Sequence, residues 1–272
     1  MKYFYVQIGE YPDWMFDSIE SVKKNDSSAE IYLCGENKLV YEGVEYLNLN
    51  LLASQETKKA FASSTWKHDQ NPLWRTSIYR IFILLDMMNT LKCEEFVHFD
   101  SDVILFHPFK DVRSNIDTGK KALHITPCND DELVFGYSYC NSKEALTEVC
   151  DILLKAMFNQ SLLMSLTSGF PNEMQILRGI QKLNPDIIQS LTTIPRDNEE
   201  YVFDPSSYGQ YLFGTHNGHQ AGWHGDHHWI GKMIGQKKLN VYIDDIPYAN
   251  NSKIVNLHIH SKKLNEVLNA NK

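Results

Sequence analysis

The first thirty-five residues constrain the fold most. Residues 3–8, YFYVQI, are β-branched and aromatic and stop at Gly9, the pattern of a buried strand. Met15, Ile19 and Val22 then share one face of a predicted helix over 14–24, with Asp13 placed to cap it. Residues 30–34, EIYLC, read as a second strand ending at Gly35. Strand, helix and strand this close together form a βαβ unit, so the two strands lie parallel.

The remainder repeats that alternation. A helix is predicted over 72–90, with Pro72 in its first turn and Ile78, Ile81, Phe82, Leu85 and Met88 as its apolar stripe. Strands are expected at 95–99, 102–106, 122–126 and 133–139. Helices follow at 142–158, with Ser142 as N-cap, and at 172–183, closed by Asn184-Pro185. Residues 204–235 have little periodicity and read as a long ordered loop. Strands at 239–243 and 254–260 and a basic, helix-compatible tail over 261–272 complete the chain. With no repeat or linker, one domain over 1–272 is expected, α/β in class, with a mixed, mostly parallel central sheet flanked by helices.

Composition removes several function classes. A net charge of -8 opposes nucleic-acid binding, which needs a broad basic face. The five cysteines (Cys34, Cys93, Cys128, Cys140 and Cys150) form no CxxC pair, which implies reduced, mostly buried thiols. No run approaches the ~20 apolar residues of a membrane helix. The start, MKYFYVQIGEYPDW, reaches Glu10 and Pro12 too early for a signal peptide. The expectation is a cytoplasmic protein whose contact with a membrane, if any, is peripheral.

The strongest chemical signal is FVHFDSDVILF, residues 96–106. Asp100 and Asp102 follow an apolar strand, and in an extended chain residues i and i+2 point to one side. Two anions brought together where water is scarce call for a cation. Oxygen ligands suit Mn²⁺ or Mg²⁺, which bind through one or two carboxylates and substrate phosphates. A solvated turn with two aspartates is the plain alternative.

Alternation in IVNLHIHSKK, residues 254–263, sets Asn256, His258 and His260 on one face. Either His258 or His260 can supply an imidazole to the same cation; two solvated histidines are the alternative. Arg75 and Arg80 lie on the helix before the strand, where one of them can reach Asp100 or a diphosphate; surface arginines on an amphipathic helix are the alternative for at least one of the two.

The run from Ser77 to Phe106 resembles the helix-then-DxD segment of GT-A glycosyltransferases, a Rossmann-like fold, especially retaining glycogenin-like and galactosyltransferase-like families. The segments VQIGEYPDWMFDSIESVKKND and EIYLCGENK are similar to their first nucleotide-binding unit. The resemblance covers most of the chain, although the HxxGxxKPW pattern of the glycogenin-like family is missing. It implies a nucleotide-binding half over 1–106 and an acceptor half over 107–272. It also implies that Asp100 and Asp102 bridge metal and diphosphate, with Ser101 between them at the nucleotide. Lys262 meets the phosphates, and Gln7 to Gly9 lie near the base. The implied partners are a UDP- or GDP-sugar donor and a glycan, lipid-linked or protein-linked sugar acceptor.

Two further segments carry candidate catalytic groups. Glu173, in GFPNEMQILRGI, either caps its helix or serves as base or sugar ligand, as the resemblance implies. The stretch 203–231 holds five of the eleven histidines between 216 and 228. No cysteine is near in sequence and no finger spacing appears, so an acceptor loop is favoured over zinc. Trp223 and Trp229 offer flat faces to a sugar ring, and Asp226 a base. The leading reading is glycosyl transfer, with retaining stereochemistry implied by the resemblance alone. A sugar-phosphate nucleotidyltransferase is the enzyme alternative, though IGEYPDW lacks its Gly-rich loop. A non-enzymatic metal- or carbohydrate-binding module is the third.

Overall fold

The computed structural model describes residues 1–62, 72–169 and 171–270. Phe170, in the Gly-Phe-Pro segment, and tail residues 271–272 lie outside them. The βαβ expectation holds: β1 (Lys2–Gln7) pairs in parallel with β2 (Glu30–Gly35) across α1 (Asp13–Asn25). Asp13 is the first helical residue rather than the cap; Pro12 occupies that position, with no side-chain cap hydrogen bond. A further parallel strand, β3 (Val44–Asn48), extends the sheet beyond β2. Two short helices, α2 (Leu49–Leu52) and α3 (Gln55–Phe61), and the long α4 (Pro72–Leu91) lead to β4 (Phe96–Phe99).

The return to β4 matters most for function. Instead of continuing outward past β3, the chain inserts β4 on the free side of β1, parallel to it. Strand order therefore reverses between β1 and β4, and ligands in open α/β sheets bind outside the carboxyl ends of strands at such a point. After the short β5 (Val103–Leu105) and α5 (Phe109–Val112), three strands complete the sheet: β6 (Leu123–Pro127), β7 (Leu133–Cys140) and β8 (Ile188–Ser190). The order is β3-β2-β1-β4-β7-β6-β8. Only β7 runs antiparallel to its neighbours, so the sheet is mixed and mostly parallel, as the sequence implied.

Both faces are covered. Alternation along β1 sends Tyr3 and Tyr5 to one face, with Met15, Ile19 and Val22 of α1, and Phe4 to the other. Phe4 stacks on Phe96 of β4 with ring centroids 4.7 Å apart, beneath Ile78, Ile81 and Phe82 of α4. Truncating such a buried ring to alanine costs about 3–5 kcal/mol. Two helices on that second face are α6 (Lys143–Phe158), capped by the Ser142 hydroxyl as expected, and α7 (Gln160–Leu166). Next comes α8 (Glu173–Leu183), which Asn172 caps.

The region read as a long loop holds two short helices, with irregular backbone over 214–228 between them. After β9 (Tyr201–Val202) come α9 (Tyr208–Phe213) and α10 (Trp229–Gly235). Each is too short to show a convincing period. The predicted strand over 254–260 divides in two. With β10 (Val241–Ile243) and β11 (Pro247–Ala249), its first part, β12 (Ser252–Ile254), joins β9 in a four-stranded sheet. The second part, β13 (Asn256–His258), pairs antiparallel with β5. Burial on both sides lets one apolar run serve two partners: Ile254, Val255, Asn256 and Leu257 are all inaccessible. The tail forms α11 (Leu264–Ala270). No helix among the described residues is long and apolar enough to cross a membrane.

Candidate active site

Asp100 follows β4 directly, and its N–H donates to the Gly136 carbonyl of β7 at 2.9 Å. The chain then leaves the sheet. Val103 N–H returns to the Asp100 carbonyl at 3.2 Å, so Asp100, Ser101 and Asp102 form a turn rather than the extended pair expected. The turn still brings both carboxylates to one place. Pairing of β5 with β13 sets His258 opposite Val103, and Ile259 N–H donates to the Asp102 carbonyl at 2.8 Å. One ligand atom each from Asp100, Asp102 and His258 lies within 4.8 Å of the other two.

Two glycines make room for this arrangement. A Cβ on Gly136 would stand 2.5 Å from His258 Nδ1, and one on Gly209 would stand 2.1 Å from the His258 carbonyl oxygen. The imidazole is thus wedged against β7 with Nε2 turned towards the aspartates, 3.0 Å from Asp102 Oδ2. Two carboxylates and one imidazole with a fixed ring could hold a divalent metal ion. His260 is placed differently: its Nε2 lies 2.6 Å from Ser206 Oγ, in the wall beside the cluster.

Protein cations already lean on the aspartates. Lys262 Nζ donates to Asp102, and Arg80 donates to Asp100 with one nitrogen and to Glu173 with another at 2.9 Å. Burial pushes the Asp102 carboxyl up, but His258 and then Lys262 outweigh it and hold it well below the ordinary carboxylate value. Burial raises Glu173, partly offset by Arg80. Behind Asp100, His98 donates its Nδ1–H to the Phe4 carbonyl, 2.9 Å away, and burial, then Arg80, lower its pKa. Burial, then His258, push His260 down to about 3.

These groups line a cleft of about 550 Å³ at the carboxyl ends of β1 and β4. Gln7, Arg80, Asp100, Ser101, Asp102, Glu173, His258, His260 and Lys262 all face it. Gly9 is not in its wall; its N–H donates to Glu36 at 2.9 Å. Asp226 lies elsewhere, its side chain 86% exposed, in an adjoining cavity of about 480 Å³ that Trp229 also lines. Trp223 stacks on His219 at 4.3 Å between centroids. Of the two arginines, Arg80 reaches the site, whereas Arg75 donates to the Tyr79 hydroxyl at 2.6 Å.

Several positioning residues carry no signal in the sequence. Asp204 is buried and accepts the N–H groups of Ser207, Tyr208, Gly209 and His258 at 2.7–2.9 Å, tying α9 to β13. Trp14 donates to Ser101 Oγ at 3.4 Å, and Lys262 Nζ lies 5.7 Å from its ring centroid. Ser206 and Lys262 hold left-handed backbone at φ 69° and 62°, a conformation that non-glycine residues adopt at a cost and that gathers at functional sites.

No family model and no curated protein matches the chain. Among solved structures it is similar to the glycosyltransferase GlyE of Streptococcus pneumoniae TIGR4, at 16% identity and TM-score 0.46, over 70% of this chain and 44% of that one. The chain thus spans less than half the length of GlyE. It is also similar to mouse xyloside xylosyltransferase 1, at 10% identity and TM-score 0.47, over 70% and 84% of the two chains. A third similar structure is the galactosyltransferase LgtC in complex with donor and acceptor sugar analogues, at 10% identity and TM-score 0.48, over 87% and 94%.

Proposed function

We propose that the chain is a GT-A-type glycosyltransferase that moves a sugar from a nucleotide-diphosphate-sugar to a hydroxyl acceptor on a glycan, lipid or protein. The observation that carries this reading is the convergence of Asp100, Asp102 and His258 in a cleft at the switch point between β1 and β4. The resemblance of the Ser77–Phe106 segment points the same way. In this reading Asp100, Asp102 and His258 would hold Mn²⁺ or Mg²⁺, and the ion would supply positive charge beside the donor diphosphate.

The chain's own groups divide the remaining work. Val6 and Gln7 at the end of β1, and Ile8 just after it, line the cleft, where a base and ribose fit. Lys262 releases Asp102 and turns to the phosphates, a small movement for a side chain that is 35% exposed. Arg80 keeps Asp100 and Glu173 in fixed relation. A carboxylate held this way orients the donor sugar rather than accepting an acceptor proton. Asp226, outside the cleft, has no geometric claim to act as base. Retention of anomeric configuration fits a cleft whose facing carboxylates are all engaged. The chain's location is proposed to be cytoplasmic.

Hydrolysis of UDP- and GDP-sugars with Mn²⁺ tests the reading. Turnover that needs the metal and disappears in Asp102→Asn supports it. Turnover equal with and without chelator in the wild-type chain, or unchanged in Asp102→Asn, contradicts it.

A further inference from the structure

The fold brings together two segments that lie a hundred residues apart in sequence. Cys128 and Glu132 close the turn between β6 and β7, with Cys128 N–H donating to the Glu132 carbonyl at 3.2 Å. His228 stands at the start of α10. A ligand atom from each of Cys128, Glu132 and His228 lies within 4.8 Å of the other two. The histidine-rich stretch therefore acquires in space the cysteine it lacks in sequence.

Each of the three is held by a neighbour. The Ser207 hydroxyl lies 2.8 Å from His228 Nδ1 and fixes the ring. Asn129 Nδ2 donates to Glu132 Oε2 at 2.8 Å. The next residue after the histidine, Trp229, donates its N–H to the Cys128 carbonyl at 3.0 Å, which locks the two segments in register. Cys128 is buried, and its thiol lies 3.9 Å from Glu132 Oε2. Such supporting bonds to metal ligands orient them and strengthen binding.

We propose that Cys128, Glu132 and His228 form a second metal site, separate from the Asp100 cluster, that takes one zinc-class divalent ion. Thiolate, carboxylate and imidazole are the zinc donor types, and three protein ligands leave the fourth tetrahedral position open. Tetrahedral bonds of the usual lengths set ligand atoms about 3.5 Å apart, so the cluster closes by at most about an ångström on binding, and by less between Cys128 and Glu132. The Cys128 S–H bond breaks, its proton leaves to water, and the thiolate sulfur becomes the ligand. Glu132 and His228 line the cavity of about 480 Å³, so the open position faces it, while His228 also borders the cleft of about 550 Å³. The ion ties the β6–β7 turn to residues 225–229 and stiffens the wall between the two cavities. This inference does not rest on the transferase reading and stands whether or not donor hydrolysis is found.

Cobalt(II) titrated into the reduced full chain reads the site directly, because a cysteine thiolate ligand gives a sulfur-to-cobalt charge-transfer absorption that an Asp-Asp-His cluster lacks. The expected result is that absorption at one equivalent, in the wild-type chain and equally in Asp102→Asn. It disappears in Cys128→Ser, and cobalt affinity falls at least about tenfold in His228→Gln and Glu132→Gln. Should Cys128→Ser fail to fold, the two glutamine variants carry the test. Absence of the absorption in the wild-type chain, its persistence in Cys128→Ser, or unchanged affinity in both glutamine variants overturns the proposal.

Discussion

Asp102 and Asp204 are both buried carboxylates, yet they are compensated in opposite ways. Asp204 accepts four backbone N–H groups, none of which can leave while α9 and β13 stay folded. Asp102 relies on Lys262 and His258, side chains that can turn to another partner. The first carboxylate is a fixed strut. The second is a socket whose charge is balanced provisionally, which is what a group that exchanges partners on ligand binding requires.

The largest expected effect follows from that contrast. Asp102→Asn should lower donor turnover about a thousandfold, measured as nucleotide release, because it removes a ligand charge where reaction charge develops. Its melting temperature should change less than that of the strut variant, since Lys262 can reach solvent. Asp204→Ala should cost about 2–3 kcal/mol, as it strands several buried donors. For a chain of this size that is a fall in melting temperature of about 4–6 °C. If the two variants exchange these signatures, the contrast is broken.

Gly136→Ala sharpens the comparison at the level of a single methyl group. It should weaken Mn²⁺ binding about tenfold in calorimetry, by displacing the His258 ring, and leave the Asp204 contacts intact. Acid titration gives a smaller effect. The folded-state pKa of Asp102 is depressed, so its contribution is present above an unfolded value of about 4 and lost as pH falls through the folded value. Below pH about 4, wild-type stability should therefore fall towards that of Asp102→Asn in denaturant titrations. Least affected should be Arg75→Gln, with activity within about twofold of wild type, because Arg75 bonds Tyr79 and not the cleft.

How legible the site was depends on what each residue needs from its surroundings. The β1–α1–β2 unit and Asp100 could be read because apolar runs and their periods are local signals. The joining of Asp102 to His258 could be expected from residue type, but the choice of His258 over His260 needed the pairing of β5 with β13, a contact across 155 residues from Val103 to His258. Asp204 was invisible because its partners are backbone groups, which every residue has. The short α9 and α10 fell within an apparent loop, since six or seven residues cannot display a helical period convincingly. The Cys128–His228 approach was likewise hidden, because sequence spacing reports only ligands on neighbouring turns.

A crystal of the wild-type chain soaked with Mn²⁺ and UDP or GDP tests the central claim most directly. The account expects the ion in direct coordination with Asp100, Asp102 and His258, the diphosphate on its open side, and Lys262 turned from Asp102 to a phosphate oxygen. An ion bound elsewhere, or a nucleotide seated outside the cleft with Lys262 still on Asp102, would contradict it.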